Sequence, residues 1–214
     1  MAMTPEELKA ATPSKRELIV AAARKLFLES GFGSTSMDAI AAQAGVSKRT
    51  VYSHFENKET LFAAIMGDMC RIISGANPDE PIPDENPEFV LRTVGMHIFL
   101  SVIKPEALDV FRVVLAENAT FPELGKAFWK AGPEVMKDYL AGYLSELDRR
   151  GILSIPDANL AAFQFMGMIK WPYHNRLLFS AGGQPTKEEL DAALDQAVSI
   201  FVGGLKPRGL SARV

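Results

Sequence analysis

Lys48, Arg49, Thr50, Tyr52, His54 and Lys58 fall within eleven consecutive residues of this chain. Lysine and arginine neutralise phosphates. Hydroxyl, phenol and imidazole groups hydrogen-bond to phosphate oxygens, and threonine and arginine also reach base edges. The chemistry on offer is recognition of a polyanion that carries a readable pattern. Val51 and Phe55 interrupt the polar residues at helical spacing and face inward, which leaves Lys48, Arg49, Thr50, Tyr52, Ser53 and His54 mostly outward on one short helix. Ser47 stands before that helix as its N-cap.

The preceding residues position it. Met37, Ile40, Ala41 and Ala44 share one helical face, with Ser36 as N-cap. Gly45 ends that helix, where a left-handed residue is commonly required, and Val46 closes the corner. Two short helices meeting at a glycine are the pattern of a helix-turn-helix, whose second helix enters a DNA major groove. The corner alone is common, and a packing corner with a solvated polar face is its bland reading. The flanks narrow the choice. Ser14 to Glu17 is a capping box opening a helix with Ile19, Ala22, Ala23, Leu26 and Phe27 on one stripe, ended by Gly31. Asn57 caps a further helix through Leu61, Phe62, Ile65 and Met69.

These residues resemble the TetR family of transcriptional regulators. The resemblance rests on Leu26-Phe27, Gly31-Phe32, Thr35-Ser36-Met37, Ile40-Ala41, Ala44-Gly45-Val46-Ser47, Tyr52-x-His54-Phe55 and Lys58-Glu59-x-Leu61, without a gap from about Ser14 to Met66. Phe111 to Gly151 is similar to the C-terminal domain of the AefR-like branch, through FRVVLAEN, FPEL and RRG. The resemblance implies an all-α fold: an N-terminal three-helix DNA-binding domain, then a larger helical domain for ligand binding and dimerisation. It implies that Thr50, Lys48 and Arg49 approach base edges, while Tyr52, His54, Lys58, Thr35 and Ser36 position phosphates; the capping Ser47 belongs to the same DNA-binding set. Arg49 departs from the pattern, since many members have a small residue there; it adds a guanidinium able to take a guanine or a phosphate. The implied partners are double-stranded DNA with a palindromic operator, a small-molecule effector and a second copy of the chain. No cofactor is implied.

Charge agrees with this division. The whole chain sums to −3, but residues 1–58 hold eight Lys and Arg against six Asp and Glu, and the remainder fifteen against twenty. The positive end is therefore the end with the polar helix, which favours local phosphate contacts over an indifferent coating of DNA. One cysteine, Cys70, excludes an internal disulfide and a cysteine-rich zinc site. No apolar run suits a membrane span and the N-terminus does not read as a signal peptide, so a cytoplasmic protein is expected.

The expected layout is an arm at 1–13, the helix-turn-helix domain at 14–56, a connecting helix at 57–74, the helical domain at 75–205 and a tail at 206–214, both ends flexible. Gly75 to Pro87 has four prolines and four acids in thirteen residues and reads as a loop. Helices are expected at 88–103, 106–119, 122–150, 157–180 and 186–205. Pro172 predicts a kink or break near Met168 to Trp171, beside an unusual density of aromatic and thioether side chains. Such side chains adapt to lipophilic ligands. His97, Phe111, Glu117, Trp129, Phe163, Met166 and Trp171 are the candidate chamber residues; each also has a plain reading as core, wall or outward-facing group. In the last helix Leu194, Val198 and Phe201 lie on an apolar stripe that either covers the chain's own core or, as the resemblance implies, forms the dimer contact.

Enzyme signatures are missing from the sequence. GFGSTS from Gly31 follows a helix and lacks the third glycine of a dinucleotide loop. There is no G-x-S-x-G elbow, and His54, His97 and His174 are scattered, which gives a metal site little support. An all-helical carrier or enzyme with a vestigial helix-turn-helix stays open as the alternative, as does an adaptor that uses the same basic helix on a protein.

Overall fold

Ser14 opens the first helix as its sequence requires: its Oγ accepts from Glu17 N at 3.2 Å, and Glu17 returns the bond from Ser14 N at 2.7 Å. The structure, a computed structural model, describes residues 13–74, 86–171 and 173–207, with the backbone alone at 68–74. The expected arm, the Gly75–Pro87 loop and the tail lie largely outside the described residues.

The helix α1 (Lys15–Ser30) ends at Gly31, whose φ of 81° and ψ of 163° only glycine adopts readily. Then follow α2 (Met37–Ala44), α3 (Lys48–His54) and α4 (Lys58–Ser74). The second group is α5 (Pro87–Val102), α6 (Pro105–Glu117), α7 (Pro122–Ala131), α8 (Pro133–Arg149), α9 (Ala158–Lys170), α10 (Tyr173–Leu178) and α11 (Lys187–Leu205). Helices α5 to α8 each begin on a proline, which has no N–H to leave unpaired in a first turn. Among the described residues there is no strand, and no helix is long and apolar enough to cross a membrane.

Two expected helices are each divided. The span 122–150 breaks at Gly132, because Pro133 can neither donate to the turn before it nor fit against that turn's carbonyl. The span 157–180 breaks at Trp171, where a kink or break is expected from Pro172. Trp171 is extended at ψ 136°, the conformation into which a following proline drives its neighbour.

Two apolar cores result. Phe27, Phe32, Ile40, Val51, Leu61 and Phe62 fill the first, and Val110, Val114 and Leu124 enter it from α6 and α7. Helices α1 to α4 therefore share their core with the second group. The other core lies among α5, α8, α9 and α11, around Leu91, Leu140, Leu144 and Phe165. Gly95 lets α5 approach its neighbours closely: a Cβ there would stand 2.6 Å from Leu194 Cδ1 and 3.3 Å from Phe165 Cζ. On the rim, Arg92 reaches Asp191 at 2.7 Å and Asp195 at 2.5 Å, tying α5 to α11.

Candidate nucleic-acid interface

The corner between α2 and α3 is built from caps. Ser36 Oγ accepts from Ala39 N at 3.1 Å, and Ser47 Oγ accepts from Thr50 N at 3.1 Å. Gly45 is left-handed at φ 66° and ψ 31°, and its N–H reaches back to Ala41 and Ala42. With Ile40, Ala41 and Val51 buried beneath, α3 turns Lys48, Arg49, Tyr52, Ser53 and His54 to solvent. The N-termini of α2 and α3 add unpaired backbone N–H groups and positive dipole ends beside this face.

The named side chains are not equally free. Arg49 is exposed and has no hydrogen bond or ion pair among the described residues. Lys48 Nζ lies 2.5 Å from Asp38 Oδ2, an exposed pair joining α3 to α2. Such a pair contributes little and can yield to a phosphate. Thr50 is half-buried, and its hydroxyl meets Ser47 Oγ at 2.8 Å.

Two expected phosphate contacts have another occupation. Thr35 is buried, and its hydroxyl donates to Gly31 O at 2.8 Å and to Leu26 O at 3.3 Å, closing the end of α1. Lys58 Nζ donates to Phe32 O at 2.5 Å, Thr35 O at 2.9 Å and Gly33 O at 3.3 Å. It also lies 4.3 Å from the Phe32 ring centroid. Burial lowers its pKa, opposed by Glu59 and Glu117. Both residues hold the turn before α2, and that turn aims the interface. Composition and spacing identify a lysine near DNA but cannot reveal that three carbonyls already claim it.

The chamber is more compact than the candidate residues imply. A cavity of about 130 Å³ lies where Met66 of α4 meets α5, α6, α7, α8 and α9, and Phe111 and Met166 line it. The other five candidates lie elsewhere. His97 is exposed on α5. Glu117 turns towards the α1–α2 turn, where its Oε1 accepts from Phe32 N at 3.1 Å. Trp129 and Phe163 stack on each other at the surface, ring centroids 5.6 Å apart. Trp171, at the broken helix end, is 67% exposed. Lys170, which sequence reasoning missed, lines the cavity; its place at the end of an aromatic-rich helix is the only signal the sequence offers.

The stripe expected at the dimer contact is interior. Leu194 is 4% exposed, and Val198 and Phe201 are buried with it in the second core. Phe201 packs 5.0 Å from Phe165, centroid to centroid. The stripe covers the chain's own core because α11 lies against α5 and α9. The opposite side of these two helices carries exposed apolar groups: Leu160, 53% exposed, Phe163 and Trp171 on or next to α9, and Ile200, 57% exposed, on α11.

A helix-turn-helix with an outward second helix, backed by a larger helical domain, defines the class of all-helical DNA-binding transcriptional regulators. Residues 19–65 match the tetR family of bacterial regulatory proteins, and residues 89–204 match the C-terminal domain of the AefR-like transcriptional repressors. The chain belongs to the TetR family of transcriptional regulators. The transcriptional regulator UidR of Escherichia coli K12 is 34% identical over 149 residues, which span 68% of this chain and 72% of UidR. Among solved structures, the flavonoid-responsive regulator FrrA superposes with a TM-score of 0.80 at 30% identity, covering 91% of this chain and 98% of FrrA. A TetR-family regulator from Mesorhizobium loti MAFF303099 superposes at 0.73 with 29% identity, covering 90% and 97%.

Proposed function

We propose that this regulator acts as a homodimeric repressor in the cytoplasm, released from a palindromic operator by a small lipophilic effector. The observation that carries the reading is the outer face of α3. Arg49, Tyr52, Ser53 and His54 stand in solvent there above a buried Val51, and Arg49 has no partner among the described residues. Arg49 and Thr50 approach base edges. Lys48, which the family resemblance places at base edges, can leave its exposed pair with Asp38 for a phosphate instead. Tyr52, His54 and the capping hydroxyls of Ser36 and Ser47 fix the other phosphates. Lys58 and Thr35 act one step back by holding the turn.

One such helix reads few base pairs, so two copies related by a twofold axis are needed, with half-sites ~34 Å apart or a multiple of it. The exposed apolar groups Leu160, Phe163, Trp171 and Ile200 supply the face on which a second copy packs. The effector reading is supported by the apolar cavity behind the DNA domain and by FrrA, which is named for its response to flavonoids. Binding there must weaken DNA binding by the same factor by which DNA weakens effector binding.

The experiment is selection and sequencing of DNA from a random pool, followed by sedimentation of the complex. A palindrome bound by paired copies is expected. An asymmetric site held by a single copy would sink the homodimer reading.

A further inference from the structure

We infer that the effector carries a carboxylate on a small apolar body, and that Lys170 receives that charge inside the chamber. The inference rests on the chamber being an effector site. The cavity measures about 130 Å³, close to the ~150 Å³ apolar cavity that admits benzene, so its occupant is about one ring or a short alkyl chain. Met66, Val110, Phe128, Met136 and Met166 give it apolar walls. Ser101 is its only uncharged polar side chain among the described residues, and the Ser101 hydroxyl already donates to Ile98 O at 2.5 Å. Lys170 is the only charged one among them.

Lys170 lacks the partner that a partly buried ammonium ordinarily has. No carboxylate and no hydrogen-bond acceptor meets its Nζ among the described residues, and it lies 4.5 Å from the Phe111 ring centroid. The Phe111 ring also makes an edge contact with His174, centroids 4.8 Å apart. His174 is buried, and burial together with the Lys170 charge holds its pKa at about 4. It is neutral at pH 7, so it adds no second positive charge, and in neither protonation state could it balance that of Lys170.

A helix C-terminus favours a cation, which accounts for a lysine at position 170. It does not account for an ammonium over an aromatic ring in a chamber wall, since long lysine stems ordinarily carry the charge out to water. Desolvation lowers the pKa of Lys170, and no acid among the described residues restores it. An unpaired cation in such surroundings is destabilising, and an incoming carboxylate supplies both the missing charge and the acceptors. A neutral ligand of the same shape gains the apolar walls alone.

The test uses the full chain and two matched pairs of probes, 4-chlorobenzoate with 4-chlorobenzamide and octanoate with octanamide. Affinities are measured by calorimetry for the wild type and for Lys170→Met, each first shown to be folded by its circular dichroism and melting curve. In the wild type at least one carboxylate is expected to bind at least tenfold more tightly than its amide. Lys170→Met should remove that preference while the amide binds as before. Equal binding of acid and amide to the wild type overturns the role of Lys170 and leaves the chamber standing. A preference that persists in Lys170→Met places the anion elsewhere and overturns the inference too. Binding by none of the four overturns the chamber itself, and the inference with it.

Discussion

Glu117 Oε1 accepts the backbone N–H of Phe32 at 3.1 Å, so the last residue of α6 holds the turn that leads into α2. Lys58 grips the same turn from α4 through its carbonyls, and Phe121 packs edge-on against Phe32 at 5.3 Å. One helix therefore bears on both sites: α6 contributes Ala107, Val110 and Phe111 to the chamber and Glu117 to the turn. A displacement of α6 by an occupant of the chamber would be felt first at Phe32, next to the capped start of α2.

Glu117→Ala leaves the Phe32 N–H without its acceptor beside a fully buried ring. The expected loss is about 1–3 kcal/mol of stability in urea unfolding. Glu117→Gln keeps an acceptor oxygen and should lose less. If α6 transmits the effector signal, Glu117→Ala should also shrink the factor by which an effector weakens DNA binding. Gly31→Ala tests the same junction from the other side. Its Cβ would stand 2.7 Å from Glu117 Oε1 at a backbone φ of 81°, so it should destabilise at least as much as Glu117→Ala. A Gly31→Ala protein as stable as the wild type would remove the junction from the account.

The two-helix corner was legible because each part has a local cause: two serine caps, one left-handed glycine and a helical stripe. Lys58 and Glu117 were misread because their partners are set by folding, Glu117 lying 85 residues along the chain from Phe32. The stripe of α11 shows a different limit. Periodicity reports that Leu194 and Phe201 share an apolar face, but whether that face meets α5 or a second copy is a tertiary fact. Pro133 was a local signal that could have been read, since a proline within 122–150 already forbids one continuous helix.

Arg49 and Lys48 should behave differently on DNA. Arg49→Ala removes the free cation of α3. It should weaken operator binding and lower the slope of log affinity against log salt by about 1 for each phosphate left without its cation, or relax preference at one base position if Arg49 reads a guanine. Asp38→Ala releases Lys48 from its 2.5 Å pair. Its effect on stability should stay below about 1 kcal/mol, because the pair is exposed. DNA binding should tighten and its salt slope steepen, and an unchanged slope would show that Lys48 does not reach a phosphate.

The apolar stripe and its reverse side should separate on mutation. Leu160→Glu with Ile200→Asp places charges on exposed positions of α9 and α11, so each protomer should stay folded while sedimentation shows monomers. Leu194→Glu puts a carboxylate into the second core and should unfold the protomer, at a cost of several kcal/mol. Monomers from a folded Leu194→Glu protein, with dimers persisting in the double variant, would return the interface to the buried stripe.

Acid should act through His174. The free imidazole has a pKa of 6.5, whereas burial and the charge of Lys170 hold the folded one at about 4. Between those values the unfolded chain binds the extra proton, so stability rises with pH there. This contribution is complete above about pH 6.5 and is lost as the pH falls through about 4, amounting at most to about 3 kcal/mol. His174→Leu removes the titrating group, together with an Nε2 atom that has no hydrogen-bond partner among the described residues. Urea unfolding between pH 4.5 and 7 should show a flatter pH dependence for His174→Leu than for the wild type. Lys170→Met should lie between the two, because it removes one of the two causes that lower the histidine pKa. Parallel curves for all three proteins would mean that the acid sensitivity of this fold resides in other groups.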